Sequence, residues 1–110
     1  MKTFEVKIRW STTPDCYLSV EKYAANDHIA ISIWSESEGP FADLTVNLSE
    51  TAKYPKHYGY VDVNNFPEAT ALIERLGIGK WTGGLFSSGF CTYPLYEFDE
   101  EALKKWTEGE

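Results

Sequence analysis

Apolar and polar residues alternate with period two through most of the first half of the chain. Phe4, Val6, Ile8 and Trp10 alternate with Thr3, Glu5, Lys7 and Arg9, which predicts a strand with one buried face. Thr12-Thr13-Pro14-Asp15 then supplies turn residues. The next run places Cys16, Leu18 and Val20 inward and Tyr17, Ser19, Glu21 and Tyr23 outward. Asn26-Asp27 tolerates positive φ and suits a tight hairpin. A third strand turns Ile29, Ile31 and Ile33 inward and His28, Ala30, Ser32 and Trp34 outward. After a turn at 36–40, a fourth sends Leu44, Val46 and Leu48 inward and Asp43, Thr45 and Asn47 outward. Four sequential strands with short connections predict an antiparallel meander.

The pattern changes in the second half. Residues 49–57 are polar around Pro55 and read as a loop, and 58–63 as a short fifth strand. Asn64-Asn65-Phe66-Pro67 predicts a helix start, with an Asn cap and Pro67 near the first helical position. Ala69, Leu72, Ile73 and Leu76 recur at helical spacing, so one apolar stripe of a 67–76 helix faces the sheet. Gly77 stops that helix as a left-handed cap. Five glycines and two serines make 77–90 an irregular loop by composition, and Pro94 demotes the 90–98 run to an edge strand. Asp99 caps a short last helix with Leu103 and Trp106 on its apolar side. The fold class expected is α+β: one antiparallel sheet of four to six strands, an amphipathic helix on one face and a short C-terminal helix. The chain reads as a single domain over 1–110.

Composition sharpens this picture at one point, the distribution of charge. Ten basic and seventeen acidic residues give a formal charge of −7. Residues 97–110 carry six of the acids against Lys104 and Lys105, while residues 1–96 carry eleven acids and eight bases. The acidity is therefore concentrated at the C-terminal end, and the body is nearly balanced. No basic stripe exists to neutralise phosphates, so direct nucleic-acid binding is not expected, nor is contact with an anionic membrane. A protein partner with a basic surface fits the sign of the charge. The first residues alternate like a strand rather than a leader, and no apolar run approaches the ~18 residues that span a bilayer. Two cysteines, Cys16 and Cys91, are too few for a disulfide framework. A cytoplasmic protein with reduced thiols is expected.

Tests for chemistry remove more than they assign. The Gly77–Gly84 segment lacks the first Gly of a phosphate loop, and Trp81 stands where Ser or Thr should follow Lys80. It follows a helix, whereas a dinucleotide fingerprint follows a strand. Cys16, Cys91, His28 and His57 show no metal-ligand spacing, so neither a metal nor a cofactor is expected. Ser87-Ser88-Gly89 is not a nucleophile elbow. One catalytic alternative stays open: a small enzyme with Cys91 as nucleophile and His57 as base. The leading expectation is a non-catalytic binding protein. Its candidate contact residues are the outward or loop aromatics Trp34, Trp81, Tyr93 and Tyr96, with the acidic run Glu97, Asp99, Glu100 and Glu101. The competing structural account has the 80–98 segment or the last helix covering the outer face of the meander, with Tyr93, Leu95 and Phe98 on Trp34.

Three stretches also carry a resemblance: Leu44-Thr45-Val46-Asn47-Leu48, Val61-Asp62-Val63-Asn64-Asn65, and the run Ser88-Gly89-Phe90-Cys91-Thr92-Tyr93-Pro94-Leu95-Tyr96-Glu97-Phe98. They resemble a family of small uncharacterised bacterial proteins, a domain of unknown function found in Firmicutes, Bacteroides and their plasmids, phages and conjugative elements. No catalytic residue comes with the likeness. It implies a cytoplasmic protein in a mobile-element setting, where small acidic proteins bind host machinery, including as anti-CRISPR or anti-restriction inhibitors.

Overall fold

Alternation and the turns between its runs produce eight strands in two antiparallel sheets, seen in a computed structural model that describes residues 2–108. The first sheet has the order β1 (Phe4–Ile8), β2 (Ser11–Lys22), β3 (Ile29–Ser35), β4 (Gly39–Asp43). The remaining strands are β5 (Thr45–Val46), β6 (Tyr58–Val61), β7 (Gly79–Ser88) and β8 (Cys91–Phe98). They form the second sheet in the order β5-β6-β8-β7. Two helices, α1 (Ala69–Leu76) and α2 (Glu100–Thr107), complete an α+β fold. No helix among the described residues is long and apolar enough to cross a membrane.

The sequence predicts one sheet where the chain makes two, and Leu44 is the reason. Its N–H donates to the Ile31 carbonyl in the first sheet (2.9 Å), while its own carbonyl accepts from Asp62 beside the second (3.0 Å). One residue on, the Thr45 hydroxyl takes the Ile31 N–H at 3.0 Å, a side chain standing in for a ladder carbonyl. The expected 43–48 strand is thus cut in two, and Thr45, expected outward, is buried. Apolar residues of both sheets and both helices still share one core. Val6, Ile31 and Ile33 meet Ile73 of α1, Phe98 of β8 and Leu103 of α2 there.

Other departures have local causes. The first turn falls at Arg9–Trp10, so Trp10 is 78% exposed rather than inward. Pro14 instead lies inside β2, where the register slips between Phe4↔Cys16 and Val6↔Thr13. A bulge is one of the few places in a sheet that tolerates proline. His28, expected outward, is buried, with Nε2 2.8 Å from the Tyr54 carbonyl and Nδ1 3.2 Å from that of Asn26. α1 starts at Ala69 without an Asn cap, because the Asn65 amide is turned back onto the Asp62 carboxylate at 3.0 Å. Residues 49–53, read as loop, form a 3-10 turn.

Gly77 ends α1 as expected, at φ +69°, its N–H returning to the Ile73 carbonyl at 3.0 Å. A Cβ there would meet nothing within 4 Å. Gly77→Ala should therefore cost about 1–2 kcal/mol through the left-handed backbone alone. The check is the urea unfolding midpoint.

Candidate functional site

The segment from 77 to 90 reads as a loop because glycine hides its strand. β7 and β8 pair from Gly79↔Phe98 and Lys80↔Glu97 out to Ser88↔Cys91, leaving Gly89 and Phe90 as a two-residue turn. Gly89 has φ +66° and Phe90 does not share the positive sign, as a type II′ hairpin requires. Between Trp81 and Leu85 the register shifts around Gly83, at φ +92°. This bulge is stitched internally. The Thr82 hydroxyl donates to the Leu95 carbonyl (2.8 Å) and accepts the Gly84 N–H (3.1 Å), and the Trp81 indole donates to the Gly84 carbonyl (3.0 Å).

β7 is an edge strand, and it carries much of the chain's exposed apolar surface. Trp81 is 53% exposed, Leu85 62%, and Phe90 is fully exposed at the hairpin tip. β8, by contrast, is interior, paired to β6 as well as β7. The β6 ladder ends at Tyr60↔Leu95, one residue short of Pro94, so the missing N–H falls where β8 has a neighbour on one side.

The outer face of this sheet carries its own aromatic layer. Tyr60 and Leu95 are buried there, and the Tyr60 ring lies 5.9 Å from Phe86 and 6.4 Å from Tyr54. Burial, helped by the Tyr54 hydrogen bond, pushes the Tyr60 hydroxyl up to about 12. The folded state thus favours the protonated form. The stability this contributes should be complete below the ordinary tyrosine value near ~10 and lost as pH rises toward about 12. An ultraviolet titration should find a tyrosine that ionises only with alkaline unfolding.

At the base of the hairpin lies a cleft of about 550 Å³, lined by His57, Lys80, Glu97, Asp99, Glu100 and Glu101 among others. Glu97 is shared: Oε2 is 3.2 Å from His57 Nε2 and Oε1 3.9 Å from Lys80 Nζ. Pairs this accessible contribute at most about 1 kcal/mol each. Asp99 is committed to capping α2, accepting the N–H groups of Glu101 (3.0 Å) and Ala102 (3.2 Å). Glu100 and Glu101 follow in the first turn, where the helix dipole favours acids. Both are exposed, Glu101 with Lys104 Nζ 3.8 Å from its Oε2. Among the described residues, no group of three or more His, Cys, Asp or Glu side chains is placed to hold a metal ion.

The structure brings together part of the surface expected from sequence. Glu97, Asp99, Glu100 and Glu101 line one cleft, while Trp81, one position beyond its Lys80 wall and opposite Tyr96, turns to the other face of β7. Tyr96, directly opposite Trp81, is buried at 4% and belongs to the core instead. Tyr93 points to the opposite face of β8 from Tyr96, half-buried across from Phe86. Trp34 lies on the first sheet, between its register neighbours Tyr17 and Pro40. Leu95 and Phe98 take opposite faces of β8, so the expected cover of Tyr93, Leu95 and Phe98 over Trp34 does not form. The Cys91/His57 pair is also separated. His57 bonds Glu97, and Cys91 lies six residues up the same strand, roughly 20 Å at strand rise. Leu85 and Phe90 escape sequence reasoning, since nothing in the alternation marks a protruding hairpin.

The family model described as Domain of unknown function (DUF4313) matches residues 17–110. The chain belongs to the DUF4313 family. Comparison with curated proteins and with solved structures gave no match. In this DUF4313 chain the matched region takes in both the β7–β8 hairpin and the cleft at its base.

Proposed function

We propose that the chain is a non-catalytic protein-binding module whose contact surface is the β7–β8 hairpin together with the acidic cleft at its base. The observation that carries this reading is the placement of Trp81, Leu85 and Phe90 on one hairpin. Exposed apolar side chains grouped this way mark interaction sites, and tryptophan is prominent among the residues that dominate binding energy. Glu97, Glu100 and Glu101 make the adjoining rim negative, which selects a partner with a basic surface. The Gly83 bulge interrupts the free edge of β7, so the partner is held by side chains rather than by a continuous added strand.

One sharper member of this class is an anti-defence inhibitor that occupies the basic nucleic-acid channel of a host complex. Its readout is protection of phage or plasmid in a restricting host, and no protection across several hosts would contradict it.

The general reading is tested by affinity capture from a bacterial lysate over rising salt. Wild-type chain should capture a basic protein in a salt-sensitive way. Glu100→Lys with Glu101→Lys should lose it, while the charge-matched control Glu36→Lys with Glu38→Lys, in the β3–β4 turn, should retain it. Equal capture by all three, or equal loss by both variants, would overturn the site.

A further inference from the structure

The outward face of the first sheet has a second cleft, and its position follows from register. Across β2, β3 and β4, Glu21 pairs with Ala30, Ser19 with Ser32 and then Asp43, and Tyr17 with Trp34 and then Pro40. Ser19, Ala30 and Ser32 are small, so the middle of this face is a shallow floor. Trp34 stands toward one end and Tyr23 toward the other, with Glu21 along the β2 side. Asp43 and Asp62 bound the side where the chain crosses to the second sheet. The enclosed space is about 400 Å³.

Three features of the lining point to one kind of occupant. First, it contains three carboxylates and no Lys, Arg or His, and none of the three forms an ion pair among the described residues. Asp62 is 8% exposed, its nearest support being the neutral Asn65 amide. Burial pushes the Tyr23 hydroxyl up, against the bond from Thr45, and Asp43 and Asp62 push it further, which reports the negative sign of the cleft. Second, both rings are anchored by their polar atoms. Tyr23 Oη lies 2.9 Å from Thr45 Oγ1, and the Trp34 indole donates to Ser32 Oγ at 3.2 Å. Third, Glu21 and Asp43 are exposed, so the cleft is too open to enclose most of a free small ligand.

Carboxylates beside aromatic rings suit a cation whose charge is spread over a plane. A guanidinium stacks on an aromatic face and bridges carboxylates, whereas an ammonium is a strongly hydrated point charge that an open site desolvates poorly. We propose that this cleft receives an arginine side chain displayed on the surface of a protein partner. The inference stands apart from the hairpin reading, since it concerns the other sheet and different residues.

The test uses the full isotope-labelled chain and a capped Gly-Gly-Arg-Gly-Gly peptide, followed by amide and indole NMR shifts. The expected result is a saturable shift of the Trp34 indole N–H and of backbone amides in 30–34 and 43–46, with Kd near ~1 mM. The same peptide with citrulline, isosteric but uncharged, should not bind. Glu21→Gln with Asp43→Asn should weaken binding about tenfold at an unchanged unfolding midpoint, because both carboxylates are exposed. No saturable shift by ~10 mM, an equal response to citrulline, or shifts centred on 97–101 would overturn the proposal. Binding of methylguanidinium as tight as that of the peptide would also overturn it, by making the cleft a free-cation site.

Discussion

Phe98→Ala should remove about 3–5 kcal/mol of stability, the range for deleting an enclosed phenylalanine ring. Total stabilities of ~5–15 kcal/mol make that a large fraction of what the fold has. Phe98 is 1% exposed near the end of β8, and its ring is flanked by glycines on both neighbouring strands. A Cβ at Gly79 would stand 3.0 Å from the ring, and one at Gly59 3.4 Å from it. The two glycines exist in partnership with this ring, and neither has a side chain that could fill the space it leaves. The upper part of the range is therefore expected. Its removal also reaches the surface, because Glu97 and Asp99 flank it in sequence and both line the basal cleft. Urea unfolding at constant m-value is the check. A loss below ~1 kcal/mol would show that the ring is not enclosed as described.

Trp81→Asp with Phe90→Asp should have the opposite signature, a large loss of binding with a small loss of stability. Phe90 has no cover, and Trp81 loses half a buried ring and its bond to the Gly84 carbonyl, so the cost to stability should stay at about 1–2 kcal/mol. Both side chains lie within the proposed interface, Trp81 near its base and Phe90 at its tip. Two anchors of at least ~2 kcal/mol each lower affinity for the captured partner by more than ~100-fold. Titration calorimetry with that partner measures the loss. A change of less than ~3-fold would place the contact elsewhere.

How much of this was legible from sequence depended on whether local pattern and tertiary pairing agreed. Period-two alternation located β1, β2 and β3 and most of their inward residues, because each has one buried side, but it missed the first turn at Arg9–Trp10, which carries no turn signal, and so misplaced Trp10 and Pro14. The apolar stripe and Gly77 located α1, and Asp99 located α2, for equally local reasons. The second sheet was less visible. β7 is exposed on most of its length, so burial leaves no alternation, and its glycines serve a bulge and a turn rather than a loop. The split at Leu44 was invisible because it depends on the chain exchanging the Ile31 partner for Asp62, contacts set by tertiary position. In the candidate site, clustering of Glu97 to Glu101 followed from adjacency in sequence. Tyr96 failed as a contact because alternation within β8 carries it into the core, and Leu85 and Phe90 were missed because protrusion has no periodic signature.

Hydrogen exchange of the chain alone and with its captured partner tests the central claim most directly. The account predicts that backbone amides of 79–90 exchange more slowly in the complex, together with those at the start of α2, residues 99–102. Slowing confined to other parts of the chain, with the β7–β8 hairpin exchanging as it does in the free protein, would contradict it.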